Sequence, residues 1–342
     1  MLLTMWRGLA LGGIAIALAA CTAGTACAAA PDGPRLAVVK WDVFGGRFEL
    51  ETIDDTGAQP LRLAGGGERK RPLPEIFDAP AWSPDGSQVA FAGVARSLEG
   101  GLRGDRLYVV GADGHGLRPL LGTHGSVSPV FAPDGSSIAF TRFQRRGASI
   151  WLVDLVGGTP TRITPKRRGL YMFSGSFSPD GSTMLATRFV GQRREEIVAV
   201  HLSTGEVETV LRRAGEPVYS PDGTRFALLR WRPLRRRDGT RTESSDLFVS
   251  RADGSGLRRL THTRHQAEGY PSWDPSGQRL AFVRYLPEPT ENEFLEIGMG
   301  ASVMQMNADG TCPREILEPS VVAIYGAAWQ PGPGHEAGRI AC

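Results

Sequence analysis

An all-β fold, in which six four-stranded blades stand in a ring as a β-propeller, is predicted by three observations on the 342-residue sequence. One short segment recurs along the chain, its copies are spaced by the length of a blade, and the two ends of the chain carry complementary parts of one unit.

The recurring segment is P-A-W-S-P-D-G-S-Q-V-A-F at Pro80 to Phe91 and P-V-F-A-P-D-G-S-S-I-A-F at Pro129 to Phe140. Further copies begin at Gly175, Pro217 and Pro271, and a degenerate one, A-A-W-Q-P-G, begins at Ala327. Its aromatic falls at Trp82, Phe131, Phe177, Tyr219, Trp273 and Trp329, at intervals of 49, 46, 42, 54 and 56 residues. Each copy predicts two strands joined by a tight turn. Proline presets φ, aspartate accepts nearby backbone N–H groups, and glycine takes φ > 0 without a steric cost. The pairs Asp85-Gly86, Asp134-Gly135, Asp180-Gly181 and Asp222-Gly223 are therefore assigned a structural role.

A third strand follows each copy, at Leu107 to Val110, Ile150 to Val153, Ile197 to Val200, Leu247 to Val249 and Val303 to Met306. A second turn, clearest at Ala112-Asp113-Gly114, Ala252-Asp253-Gly254 and Ala308-Asp309-Gly310, leads to a short fourth strand. The N-terminal segment has only the last three strands, from Leu36 to Leu63. Ala327 to Trp329 supplies the missing one, so the two ends are expected to share a blade and close the ring.

These repeats resemble the WD40-like P-D-G repeat of the TolB family over residues 35–342. The resemblance implies a protein-binding propeller of the bacterial cell envelope. TolB itself carries an extra α/β domain ahead of its propeller, and the residues before Arg35 leave no room for one, so TolB's own role is not expected to carry over.

Residues 1–20 predict a lipoprotein signal peptide: Arg7 precedes an apolar run from Gly8 to Ala20 that is too short to span a bilayer. Leu18-Ala19-Ala20-Cys21 looks like a lipobox, which makes Cys21 the acylated residue and places the protein outside the cytoplasm on a membrane anchor. Residues 21–34 predict a tether of small residues. In an exported protein Cys312 and Cys342 are a candidate disulfide, one that would pin the C-terminus where the ring closes, while Cys27 lies in the tether.

Signs of catalysis are sparse. No G-x-S-x-G nucleophile motif occurs. His262 and His265 lack a third ligand nearby, and no D-x-D-x-D-G calcium loop is present, so neither enzyme nor metal or cofactor chemistry is expected. Net charge is +3 and names no partner. Charge by face says more. The P-D-G and A-D-G turns share one face of the disc, and the longer connections on the other carry Arg69 and Arg71, Arg145 and Arg146, Arg167 and Arg168, Arg193 and Arg194, and Arg235, Arg236 and Arg237. That face is a candidate anion-binding surface for an acidic envelope protein, an anionic polymer or an anionic membrane. Nucleic acid is not expected outside the cytoplasm, and the propeller is expected to be monomeric. The expected function is a non-catalytic interaction scaffold. The rival is a propeller that binds or cleaves a cell-wall glycan, which paired carboxylates at the mouth of the central channel would favour.

Overall fold

The computed structural model describes residues 33–42, 47–65, 75–76, 78–96, 102–156, 158–166, 168–191, 194–235, 241–264, 266–285, 300–318, 322–332 and 338–342. Cys21, Cys27, Arg69, Arg71, Arg167, Arg193, Arg236, Arg237 and His265 lie outside them. No helix among the described residues is long and apolar enough to cross a membrane.

Alternating small and branched residues around tight turns fold into antiparallel sheets, and the sheets stand in a ring as an all-β propeller. Arg35–Asp42, Arg47–Asp54 and Leu61–Gly65 form three strands of one sheet, and its fourth is the C-terminal strand Val322–Trp329. Leu36 pairs with Trp329 and Val38 with Ala327, so the two ends of the chain share a sheet.

The next sheet contains Gln88–Arg96 and Leu102–Gly111, with its inner strand split into Glu75–Ile76 and Ala81–Trp82. Ser126–Phe131 through Thr161–Arg162 and Tyr171–Phe177 through Val207–Arg212 form two antiparallel runs. A single parallel pairing, Ala148 with Tyr171, links these runs into one eight-stranded sheet. Two further four-stranded sheets begin at Gly215–Tyr219 and Ala267–Trp273.

The inner strands pack side by side in chain order, and Val322–Trp329 returns to Ala81–Trp82, which completes the circle. Apolar side chains fill the spaces between neighbouring sheets: Leu36, Ile53, Val283 and Trp329 at one junction, Phe91 and Leu50 at the next. Ile150, Met172 and Val198 form such a cluster between the two runs of the eight-stranded sheet. Burying these faces on both sides of each sheet supplies the main driving force for folding.

The P-D-G turns show how local chemistry sets the hairpins. Asp180 accepts the hydroxyl of Ser178 at 2.6 Å and the backbone N–H of Ser182 at 3.0 Å, and Gly181 has φ of 70°. Asp85 and Asp222 repeat the arrangement with Ser83 and Ser87, and with Ser220 and Thr224; Asp134 takes the N–H of Ser136 at 3.0 Å. These hydrogen bonds hold the four carboxyls below the usual carboxylate range.

Cys312 and Cys342 are disulfide-bonded, with their Cα atoms 5.3 Å apart. The tail does not lie on the closing sheet. It turns back to the neighbouring sheet, where the Ile340 N–H donates to Asn307 at 2.7 Å, Arg339 pairs with Asp309 at 2.6 Å, and Arg279 donates to the Gly338 carbonyl. The same Arg279 pairs with Asp55 of the closing sheet at 3.0 Å, so one guanidinium ties both partners of the junction to the tail.

Candidate functional site

Strand direction decides what each face of the ring presents. The inner strands start at the face that carries the longer connections and end at the P-D-G turns. Arg145, Arg146, Arg168 and Arg194 are exposed at the first of these faces, as are Arg212 and Arg213. Arg235 ends a strand there. Not every arginine in these connections is free. Arg212 reaches Glu196 at 2.9 Å, and Arg142 turns inward, with its guanidinium 4.5 Å from the ring centre of Trp151 and donating to the Gly122 carbonyl.

At the same end of the central channel, residues three or four positions before each repeat aromatic line the wall. They are Asp78, Ser128, Ser174, Glu216, Tyr270 and Tyr325. The backbone at Ser128, Glu216 and Tyr270 is left-handed, with φ of 52°, 49° and 52°. This kink leaves their N–H groups free of the strand ladder, and side chains take them up. The Ser128 N–H donates to Asp78, whose other oxygen accepts the Ala79 N–H at 2.8 Å. Tyr270 N–H donates to Glu216 at 2.9 Å, and Glu216 N–H donates to the Thr187 hydroxyl at 2.9 Å. The Ser128–Asp78, Tyr270–Glu216 and Glu216–Thr187 bonds each cross from one repeat to the next, so side chains stitch neighbouring repeats together.

Close backbone approach packs neighbouring inner strands tightly. A Cβ on Gly326 would lie 2.7 Å from Ala79 Cα, and one on Gly175 would lie 2.8 Å from the Pro217 carbonyl oxygen. Gly269 leaves room for the Tyr285 ring, which a Cβ there would meet at 3.1 Å. Asp78, Glu216, Tyr270 and Tyr285 are partly exposed, and burial raises the pKa of each.

The electrostatics of this lining differ from those of the rest of the molecule. Four other buried carboxylates hold cations: Glu196 takes Arg188 at 2.6 Å, Asp246 takes Arg259 at 2.7 Å and Arg232 at 2.9 Å, Glu268 takes Arg284 at 3.2 Å, and Glu51 takes Lys40. Asp78 and Glu216 form no ion pair with any described residue. Burial pushes Glu216 up to about 7, opposed by the Tyr270 N–H and assisted by the charge of Asp78; burial raises Asp78 as well. Tyr325 is pushed up to about 12 by burial, and Tyr270 and Tyr285 are raised further. Beside Glu216, the Oε2 oxygen of Glu195 is buried without a hydrogen-bond partner among the described residues. Burial pushes Glu195 up to about 7, with Glu216 and Glu243 adding to it.

Two groups of aromatic rings lie toward the same face. Trp41 stacks on Phe48 at 5.9 Å, Phe48 meets Tyr325 at 5.6 Å, and Phe173 contacts both Phe143 and Phe189 at 5.6 and 5.4 Å. Among the described residues no group of three His, Cys, Asp or Glu side chains converges to hold a metal ion. On the opposite face a cleft of about 450 Å³ lies between the P-D-G turns at Pro133-Asp134 and Pro179-Asp180, floored by Leu152 and Phe177.

The channel lining escaped the sequence reading because its members are far apart in the chain and differ in type. Their signal was positional: they stand one or two positions before the residue that opens each copy of the repeat.

Residues 30–214 match the model of the TolB beta propeller domain family. An uncharacterized Agrobacterium fabrum protein, Atu1656, is 29% identical over 227 residues, covering 62% of this chain and 67% of that protein. Among solved structures, TolB from Acinetobacter baumannii superposes with a TM-score of 0.65 at 21% identity, over 87% of this chain and 67% of that one. A putative TolB from Agrobacterium tumefaciens superposes with a TM-score of 0.59 at 19% identity, over 87% of this chain and 99% of that one.

Proposed function

The chain belongs to the TolB β-propeller domain family, and on that premise we propose that it is a non-catalytic scaffold for protein interaction at the bacterial cell envelope, built as six blades. The blade count takes the eight-stranded sheet as two units, because its halves meet through one parallel pair and each half has its own P-D-G turn. The location draws on the signal-like segment before Cys21, whose acylation would tether the disc to a membrane.

One observation carries the binding role. Arg145 and Arg146 from one connection, Arg194 from a second and Arg213 from a third stand exposed at one face of neighbouring repeats without an ion pair to any described residue. A patch of guanidinium groups on neighbouring repeats suits an acidic protein surface, since each can hold a carboxylate through two parallel hydrogen bonds. A glycan-cleaving propeller would use Asp78 and Glu216 as its acid and base. Both are engaged with backbone N–H groups that brace the channel wall, which favours the scaffold.

The test is affinity purification of the acylated protein from cross-linked membranes, beside the triple variant R145E, R146E and R194E and a Cys21→Ser variant. An acidic protein should co-purify with the wild type, be lost with the triple variant, and be lost in about 0.5 M salt, where charges a few Å apart are already screened. The Cys21→Ser protein should leave the membrane fraction. A partner retained by the triple variant in high salt would overturn the arginine face as the docking surface.

A further inference from the structure

We propose that the cleft between the P-D-G turns at Asp134 and Asp180 docks an extended segment of a partner protein, in which one bulky apolar side chain is flanked by lysines or arginines. The cleft lies on the face opposite the exposed arginines, so the site goes beyond the scaffold role argued above and does not depend on it.

Three features point to such a segment. First, the cleft is a hollow of about 450 Å³ whose lining includes Ala132, Leu152, Phe177 and Leu202, and ordinary ligand clefts span roughly 300–1,000 Å³. Its frame is already in place. Asp134 and Asp180 anchor their turns through the Ser136 and Ser182 N–H groups, both at 3.0 Å, and a Cβ on Gly181 would lie 3.7 Å from Pro133 Cδ, so the second turn rests against the first. Little rearrangement is then left to oppose binding. Secondly, apolar surface continues past the edge. The Leu155 N–H donates to the Ser136 carbonyl at 3.0 Å, which holds the turn carrying Val156 beside the cleft, and Val156 is 98% exposed. The corresponding turn positions of other sheets are polar, at Asp113, Ser203, Asp253 and Asp309. A valine there adds to the apolar area of the cleft, the kind of patch that marks a docking surface. Thirdly, the charge at this end of the two runs is acidic. Asp134, Asp154, Asp180 and Glu206 are exposed and form no ion pair with any described residue, while the exposed Arg145, Arg146, Arg194 and Arg213 stand at the opposite face.

The same features argue against other occupants. An acidic segment or an anionic membrane would meet four like charges. A metal ion needs several ligands converging on one point, and no group of three acidic, histidine or cysteine side chains converges among the described residues. A second copy of the chain would bring its arginine face to this rim, a head-to-tail contact that repeats as an open filament unless it closes into a ring. A foreign segment meets both demands of the cleft at once. Its apolar side chain enters the hollow, and a cation on either side reaches one carboxylate from each bounding turn through charge-assisted hydrogen bonds.

The test uses the mature chain and fluorescein-labelled peptides read by anisotropy: a central leucine or tryptophan between two lysines in a glycine-serine background, the same peptide with serine at the centre, and the same with glutamates in place of the lysines. Saturable binding is expected for the first, and binding at least tenfold weaker for each of the others. D134N with D180N keeps an acceptor in both turns and should weaken binding at least fivefold. Where that pair melts far below the wild type, D154N with E206Q, at exposed positions outside the P-D-G turns, carries the test with the same expectation. A photo-crosslinker at the centre of the peptide should mark residues 132–137, 152–156 or 177–181. The proposal is overturned if no lysine-flanked peptide binds the folded wild type, if the serine-centred or glutamate peptide binds equally well, if the folded neutral variants bind as tightly as the wild type, or if the cross-links fall on the opposite face. Assembly of the protein alone in sedimentation, abolished by D134N with D180N, would also overturn it by giving the cleft to a second copy.

Discussion

Glu216 accepts the backbone N–H of Tyr270 at 2.9 Å, and this hydrogen bond joins the inner strands of two successive sheets at the wall of the channel. The carboxylate that makes it is enclosed near a second one, Asp78, and the burial that pushes Glu216 up to about 7 also gives folding a pH dependence. In the unfolded chain Glu216 and Glu195 would titrate near 4.5. Between about 4.5 and about 7 the folded state therefore binds more protons than the unfolded state, and stability falls as pH rises through that window.

The thermal midpoint is accordingly expected to be lower at pH 8 than at pH 5. E216Q, which cannot ionise, should show a shallower decline over the same range. The turn aspartates act in the opposite sense and at lower pH: Asp85, Asp134, Asp180 and Asp222 are held below the usual range, so the stability they give is present above it and lost in acid. Melting curves at a series of pH values would check both signs. An E216Q slope equal to that of the wild type would remove Glu216 from the explanation.

Two tryptophans at the same place in their repeats make a matched pair. The Trp273 indole N–H donates to the Val218 carbonyl of the neighbouring sheet at 3.0 Å, whereas the buried Trp329 indole N–H has no partner among the described residues. Both indoles are well buried, so Trp→Phe at either site loses similar apolar contact. Only W273F removes a donor from a part-buried carbonyl. W273F is expected to cost about 1 kcal/mol more than W329F, the net value of such a hydrogen bond, read from denaturant midpoints of the two variants.

The contrast between what the sequence shows and what it hides follows from the range of the interactions. Asp180, Gly181 and Ser182 are adjacent, and their hydrogen bonds close within five residues, so the turn is visible wherever P-D-G appears. The pairing of Leu36 with Trp329 was also legible, because a repeat lacking one strand at the start and a surplus strand at the end can satisfy their edges only together. The channel lining had no such local mark. Asp78 and Ser128, or Glu216 and Tyr270, meet only because successive inner strands start at the same height in the ring. The course of the C-terminal tail was hidden for the same reason: Asn307 and Asp309 draw residues 339–340 onto the neighbouring sheet.

The Cys312–Cys342 bond encloses the closing strand Val322–Trp329 in a covalent loop, since the two cysteines are 30 residues apart and flank it. A loop of this size restricts the unfolded chain by about 3.5 kcal/mol in the chain-entropy account. Reduction, or C342S, is expected to lower the thermal midpoint and to speed proteolysis within the tail, while Ile340 and Arg339 still hold it in part. Melting with and without reductant, with free thiols counted by mass spectrometry, is the measurement. A midpoint indifferent to reduction would show that the ring is sealed without the bond.

Gly326 is the point at which ring closure leaves least space. Its φ is 157°, and a Cβ there would lie 2.7 Å from Ala79 Cα and 2.8 Å from Ala79 Cβ, atoms that cannot rotate away. Gly116 is a fitting control. It has φ of 70°, where a side chain is strained, but nothing lies within 4 Å of the Cβ position. G116A therefore carries backbone strain alone, about 1 kcal/mol. G326A must in addition push the closing strand away from Ala79, next to Asp78, and overpacking of this kind costs about 1–3 kcal/mol more. The larger loss of stability is expected for G326A, together with faster hydrogen exchange along Arg35–Asp42, the strand paired to the one that moves. Equal destabilisation by the two substitutions, with unchanged exchange in that strand, would mean that the two ends of the chain are joined less tightly than the contact between Gly326 and Ala79 requires.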